Sequence, residues 1–146
     1  MSTEPTPLHV ERIGTKTYIG RNARGGEVRI GGTDADGVLS PGELLSLALA
    51  ACGLLSADHT FASRLGEDFA ATVDITPHKT ADGQRYDAIN ATIRANMDSL
   101  EADKAETLVG RVERAIERSC TIGHTLDHGA EHPISIVHDP GLSERL

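Results

Sequence analysis

The chain has 146 residues, a formal net charge of −8 and only 3% aromatic residues. Its length suits a single domain, whose core must be built from aliphatic side chains. The acidic balance argues against nucleic acid and against an anionic membrane surface as partners, because phosphate binding needs clustered lysine and arginine.

Residues 1–7 are polar and contain two prolines, so we expect a disordered N-terminal tail before a single domain over residues 8–146. The tail lacks the positive and apolar regions of a secretory signal. The apolar stretch over residues 44–57 is shorter than the ~20 residues that a transmembrane helix requires. We therefore predict a cytoplasmic protein that does not insert into a membrane. Permanent disulfides are rare in the cytoplasm, where paired thiols are usually transient and catalytic.

The first two predicted elements are short strands over residues 16–20 and 27–31. Between them lie Asn22, Gly25 and Gly26, and these residue types accept the positive φ of a tight turn. The two strands are therefore expected to pair as an antiparallel hairpin. A loop rich in glycine and aspartate follows and leads into the next element.

A long helix is predicted to begin at Pro41. Ser40 precedes it as the cap, proline suits the first helical position, and Glu43 can complete a capping box by bonding back to Ser40. The helix is expected to end at about Leu65, because Gly66 is a typical stop signal. Nearly every face of its first half is apolar, so the helix should be buried on several sides.

The second half of the chain repeats the order of hairpin and helix. Alternating residues predict strands over 69–78 and 85–96, with a turn between them. An apolar stripe predicts a helix over 100–118, and residues 134–137 are expected to form a last short strand. Hairpins imply antiparallel pairing, so this order predicts an α+β fold with antiparallel sheets packed around two longer helices.

The chain has two cysteines: Cys52 in the first predicted helix and Cys120 just after the second. Free cysteine is among the most buried residue types, so both could be inert core residues. They could also be a peroxidatic and resolving pair. If a further helix begins after Cys120, its amide-rich N-terminus would lower the pKa of the Cys120 thiol. On these local grounds alone, Cys120 would be the better nucleophile.

Residues 40–45 read SPGELL and are followed by Ala-Ala-Cys at 50–52, and this pattern resembles the signature of the OsmC/Ohr family. Its members are osmotically induced and organic hydroperoxide resistance proteins. Cys120 matches the second cysteine of the family. Residues 18–26 resemble its first hairpin, which supplies a catalytic arginine. The resemblance extends over roughly residues 8–138.

Two motifs differ from those of the family. Gly42 stands where members with established peroxidase activity often have a glutamate ten positions before the first cysteine, and Glu43 follows it. Around the second cysteine, the familiar Cys-Pro-x-Ser reads Cys120, Thr121, Ile122 and Gly123 in this chain. The chain therefore resembles a divergent, OsmC-like branch of the family.

The resemblance implies an intertwined homodimer with two active sites at the subunit interface. It also implies a thiol-dependent peroxidase with a preference for organic hydroperoxides. Cys52 would be the peroxidatic residue and Cys120 the resolving one, with a lipoyl-bearing protein or a small dithiol as the reductant. Arg21 would stabilise the Cys52 thiolate, with Arg24 as its competitor for this role. No cofactor is predicted.

Glu43 has two interpretations. Local helix chemistry explains it fully as part of the capping box. The resemblance instead implies that it orients the catalytic arginine. A residue nine positions before Cys52 lies, at 100° per residue, on roughly the opposite side of a straight helix. Both interpretations therefore stay open.

The sequence leaves two other functions open. A non-catalytic dimer of the same fold could bind a small apolar ligand in its interface pocket, with the cysteines as lining. Alternatively, the chain could hold a metal ion, because four ligand residues are spaced four apart and could share one helical face. These residues are Cys120, His124, His128 and His132, although glycines and a proline interrupt such a helix.

Overall fold

The computed structural model describes residues 7–142, which contain five strands and three helices. Apart from Pro7, the predicted tail over residues 1–7 lies outside the described residues. In chain order the elements are β1 (Leu8–Gly14), β2 (Thr17–Asn22), β3 (Glu27–Ile30), α1 (Pro41–Leu65), β4 (Ala71–Lys79), β5 (Tyr86–Ala95), α2 (Ala102–Ser119) and α3 (Thr121–His128).

The strands form two antiparallel sheets, one of three strands in the order β1-β2-β3 and one of the two strands β4-β5. This confirms the prediction of an α+β fold with antiparallel sheets and two longer helices. The described chain divides into two compact units. One contains residues 7–44 and 133–142, and the other contains residues 45–132. The expectation of a single domain over residues 8–146 stays a prediction.

In the first unit, β2 is the central strand, and its Ile19 is 7% exposed. The chain after β3 returns alongside that strand, because the Leu39 N–H donates to the carbonyl of Arg29 at 2.9 Å and the Gly31 N–H donates to that of Leu39 at 3.0 Å. These bonds fix the position of Ser40, the residue before α1.

The capping box at the start of α1 is present as predicted. The backbone N–H of Ser40 donates to Oε1 of Glu43 at 2.9 Å, and the N–H of Glu43 donates to Oγ of Ser40 at 3.1 Å. Such a cap typically contributes about 1 kcal/mol to helix stability. The predicted end is also confirmed, because α1 stops at Leu65 and Gly66 follows with a φ of +95°.

The second unit has a core between α1, α2 and the β4-β5 sheet. Ala57 and Phe61 of α1 meet Leu108 and Val112 of α2, and all four side chains are buried. Phe69 stacks on Phe61 with ring centroids 5.2 Å apart. The remaining side chains that pack on this cluster are mostly aliphatic, as the low aromatic content predicted.

Among the described residues, α1 is the one helix long and apolar enough to cross a membrane. The prediction from the sequence counted only the apolar residues 44–57, which are too few to span a membrane. The helix itself continues to Leu65 and is therefore longer than that stretch. The continuation carries Phe61, which is buried in the core of the second unit. We therefore interpret α1 as a core helix.

One strand of the structure was not predicted, and one predicted strand is absent from the described chain. The sequence reasoning missed β1, in which charged residues obscure the alternation and which pairs with β2 in the register Val10↔Gly20. Residues 134–137 were expected to form a strand but have no regular structure. Ile134 and Ile136 there are 89% and 97% exposed. A strand needs a hydrogen-bonding neighbour, and the described chain gives this segment none.

Candidate functional site

The two cysteines meet in the second compact unit, although 68 positions separate them in the sequence (120 − 52). Cys52 belongs to α1 and is partly exposed, whereas Cys120 is buried at 4% exposure. Both are free thiols, and each one shifts the pKa of the other, so the two side chains lie close together. The folded chain therefore presents a vicinal pair of thiols rather than two isolated core residues.

Cys120 holds its position because it ends one helix and caps the next. Its N–H donates to the carbonyl of Ile116 at the end of α2, and its carbonyl accepts the N–H of His124 in α3. Its Sγ also accepts the backbone N–H of Gly123 at 3.4 Å. A Cβ at Gly123 would lie 3.3 Å from this sulfur, so the glycine leaves room for a close approach.

The first amides of α3 act on Cys52 rather than only on Cys120. A hydrogen bond from the backbone of Ile122 lowers the pKa of Cys52, although partial burial opposes it. Smaller contributions that lower this pKa come from the Cys120 thiol, the Thr121 backbone and the Ser56 side chain. The first N–H groups of a helix have no partner within the helix, and they favour a negative charge. The fold thus supplies the thiolate stabilisation that local sequence could not locate.

The same environment has the opposite effect on Cys120. Burial raises the pKa of Cys120, the Gly123 amide partly offsets this, and the neighbouring Cys52 raises it further by hydrogen bonding and by its charge. The two thiols titrate as a pair, in which Cys52 ionises first. These directions favour Cys52, not Cys120, as the thiol that ionises first, whereas the local sequence favoured Cys120. Which of the two thiols is the nucleophile stays a prediction. Helix α3 does form, but the backbone amides of Ile122 and Thr121 at its start also lower the pKa of Cys52 on α1.

We expect iodoacetamide to alkylate Cys52 with a pH midpoint below the ~8.5 of an ordinary thiol, and Cys120 with a midpoint above it. Thr121→Pro removes one amide donor and should shift the Cys52 midpoint upward. Proline suits the first position of a helix, and Cys120 already has the extended backbone that precedes proline, with φ −77° and ψ 94°. The midpoints are read by mass spectrometry of each labelled peptide.

Thr121→Ala is the matched control for this experiment, because it keeps the backbone N–H and removes only the side chain. Its Cys52 midpoint should equal that of the parent protein. Equal midpoints for Cys52 in the proline and alanine variants would contradict a role for the Thr121 amide.

Arg21 lies on β2 in the first compact unit, between two carboxylates. Its Nη1 lies 2.8 Å from Oε2 of Glu11, and its Nε lies 3.5 Å from Oε2 of Glu27. Arg24 lies in the following turn, where its backbone N–H donates to Oδ1 of Asn22 at 2.9 Å. The assignment of either arginine to the Cys52 sulfur stays a prediction.

Glu43 acts in the structure as part of the capping box of α1, which is the first of the two roles considered for it. The backbone N–H and then the hydroxyl of Ser40 hydrogen-bond its carboxylate and lower the pKa of Glu43. This is the capping box of α1, and both groups lie in one turn of chain. The second role, in which Glu43 orients an arginine, stays a prediction.

The proposed set of metal ligands does not converge. Within residues 7–142, no three side chains of histidine, cysteine, aspartate or glutamate form a group that could hold a metal ion. His124 and His128 each donate a ring N–H to a backbone carbonyl, of Glu117 at 2.6 Å and of His124 at 2.9 Å. Helix α3 ends at His128, so His132 lies beyond it. The regular spacing therefore does not place the four residues on one helical face.

Comparison with known proteins identifies a matching family model and two related mycobacterial sequences. The family model described as OsmC-like protein matches residues 32–135. An uncharacterized protein of Mycobacterium tuberculosis is 42% identical over 132 residues, which cover 90% of this chain and 96% of the relative. A protein of Mycobacterium bovis matches with the same identity and coverage.

Solved structures show a similar fold at low sequence identity. The OsmC-like protein of Mycoplasma pneumoniae superposes with a TM-score of 0.61 at 14% identity, covering 88% of this chain and 91% of that one. The organic hydroperoxide resistance protein OhrB of Bacillus subtilis superposes with a TM-score of 0.52 at 18% identity, covering 85% and 92%.

Proposed function

Because this chain belongs to the family of OsmC-like proteins, we propose that it is a thiol-dependent peroxidase that reduces organic hydroperoxides. The observation that carries the proposal is the thiol pair at the N-terminus of α3. One thiol has a lowered pKa, and the second lies close enough to influence that pKa. The name of the similar Bacillus subtilis protein, an organic hydroperoxide resistance protein, gives further support.

In the first step, the Cys52 thiolate attacks the distal oxygen of the hydroperoxide. The O–O bond breaks, a sulfenic acid forms on Cys52, and the alkoxide leaves as an alcohol after it takes up a proton. Thiolate, not thiol, is the reactive species, so the backbone amides of Ile122 and Thr121 assist this step by favouring ionisation. The peroxide gains two electrons and the sulfur loses two.

In the second step, the Cys120 thiol attacks the sulfenic sulfur, releases water and forms a Cys52–Cys120 disulfide. Disulfide formation requires Cα atoms within about 7 Å of each other. The mutual influence of the two thiols on their pKa values, which requires them to lie close together, supports this step. A dithiol, either a lipoyl-bearing protein or a small molecule, then returns both thiols by exchange and is itself oxidised to a disulfide.

Arg21 and Glu43 complete the proposed site. The guanidinium would favour the Cys52 thiolate and stabilise the leaving oxygen, and Glu43 would orient it. In the described chain Arg21 already pairs with Glu11 and Glu27, so carboxylates hold its side chain in place.

We further propose that the active form is a cytoplasmic homodimer. The described chain exposes large apolar side chains that a second copy would cover. Leu55 of α1 is 77% exposed, Leu8 and Val10 of β1 are 78% and 62% exposed, and Ile136 and Val137 are 97% and 82% exposed. The net charge of −8 disfavours nucleic acid and anionic membranes as alternative partners.

The test is to mix reduced protein with cumene hydroperoxide in the absence of a reductant. We expect the protein to consume about one equivalent of peroxide and to form an intramolecular linkage between Cys52 and Cys120, mapped by mass spectrometry. Unconsumed peroxide together with two free thiols would contradict the proposal. That outcome would favour the alternative of a non-catalytic dimer that binds a small apolar ligand.

A further inference from the structure

A cavity of about 360 Å³ lies beside α1, β5 and α3 within the second compact unit. One of its lining residues, Leu49, lies three positions before Cys52 and therefore on the same side of α1. Another, Gly123, donates its backbone N–H to the Cys120 sulfur at 3.4 Å. The cavity thus contacts both elements that carry the thiols, and it is a direct candidate for the part of the substrate that extends away from the peroxide.

The lining of this cavity combines an apolar surface with two carboxylates. Leu49, Ile89 and Leu126 can contact an alkyl or aryl group, whereas Asp87 of β5 and Asp127 of α3 carry the charge. Both aspartates are exposed, and neither pairs with a cation among residues 7–142.

The lining itself contains no lysine or arginine. Lys79 lies outside it, with its Nζ over the ring of Tyr86 at 5.6 Å from the centroid. The charge presented to a bound molecule by the lining is therefore negative.

We propose that Asp87 and Asp127 make the site selective for uncharged alkyl or aryl hydroperoxides over hydroperoxides that carry a carboxylate. This inference rests on the proposed peroxidase function and names its substrate class. A substrate carboxylate in the cavity would lie close to two like charges, and it would lose part of its hydration there. An uncharged substrate of the same shape meets neither penalty.

The size of the effect follows from Coulomb's law in a partly wet cavity. Like charges a few ångströms apart near a protein surface repel strongly enough to change kcat/KM about tenfold. Because both aspartates are exposed, salt screens part of this repulsion, and the selectivity should fall as ionic strength rises. This salt dependence separates a charge effect from a difference in shape.

The experiment compares an ω-carboxyalkyl hydroperoxide with its methyl ester, which has the same alkyl chain and no charge. With dithiothreitol as reductant, we expect kcat/KM for the ester to exceed that for the acid about tenfold at low salt. In the double variant Asp87→Asn/Asp127→Asn, the ratio should fall to about 1–2, because kcat/KM for the acid rises. Glu106→Gln removes the same charge from an exposed position on α2 and is the matched control, which should keep the parent ratio.

The two proposals fail in distinguishable ways. If neither hydroperoxide is consumed, the peroxidase function itself is wrong. If both are consumed with equal efficiency, or if the control variant lowers the ratio as much as the double variant, the aspartates do not determine selectivity. A ratio that is independent of salt would also overturn the assignment.

Discussion

Replacing Cys52 with serine is expected to reduce hydroperoxide consumption by about 10³-fold or more, because a serine hydroxyl does not ionise under conditions where the thiolate does. The substitution changes one atom and keeps the packing of α1. The rate is measured from the loss of cumene hydroperoxide with excess dithiol present. Circular dichroism of the variant should match that of the parent protein.

Cys120→Ser is the informative partner of this variant, since it should keep the first chemical step. We expect it to consume one equivalent of peroxide and to accumulate a sulfenic acid on Cys52, which dimedone traps. The opposite pattern, with dimedone on Cys120 in Cys52→Ser and no reaction in Cys120→Ser, would reverse the assigned order of the two thiols. The raised pKa of Cys120, caused first by its burial, is the reason to expect the stated order.

The largest effect on stability is expected at Leu108, whose side chain is 1% exposed and lies in the core cluster of the second unit. Leu108→Ala should lower the free energy of unfolding by about 3 kcal/mol, and by up to about 5 kcal/mol if the cavity does not collapse. The loss combines the removed apolar contacts with the cavity that remains. Urea unfolding measures it, at one fixed protein concentration because self-association would add to the apparent stability.

Val109→Ala provides the control on the same helix. Val109 is the next residue and is 40% exposed, so its truncation removes much less buried surface. We expect a change below about 1 kcal/mol. Comparable losses for the two variants would show that Leu108 does not occupy the centre of the core.

The local signals in the sequence predicted α1 well. Ser40, Pro41 and Glu43 act within one turn of chain, and Gly66 ends the helix with a positive φ. Such features depend on near neighbours, which the sequence displays directly. The apolar stripe of α2 was also predictable from near neighbours, because Leu108 and Val112 lie one turn apart and face the same core.

Elements that depend on a distant partner were harder to predict. Strand β1 exists because its backbone pairs with β2, and its own residues give little indication of this. Residues 134–137 show the reverse case, since they alternate well but have no pairing strand in the described chain. Alternation indicates compatibility with a strand, whereas the partner decides whether one forms.

In the candidate site, too, the features set by neighbouring residues were predictable and those set by distant residues were not. The sequence identified both thiols and left open whether a helix begins after Cys120. It could not show that the backbone amides of Thr121 and Ile122 lower the pKa of Cys52 on α1, because that effect depends on how two helices pack. The order of ionisation therefore followed from tertiary structure and not from the residues next to each cysteine.

The amides at the start of α3 also affect the oxidised state in the proposed cycle. A disulfide carries no charge, so oxidation removes the anion that these N–H groups stabilise. Any interaction that favours the reduced form makes the disulfide a stronger oxidant, and a thiolate of low basicity is also a better leaving group. The protein should therefore be readily re-reduced, and its midpoint potential should become more negative when proline at position 121 removes a donor.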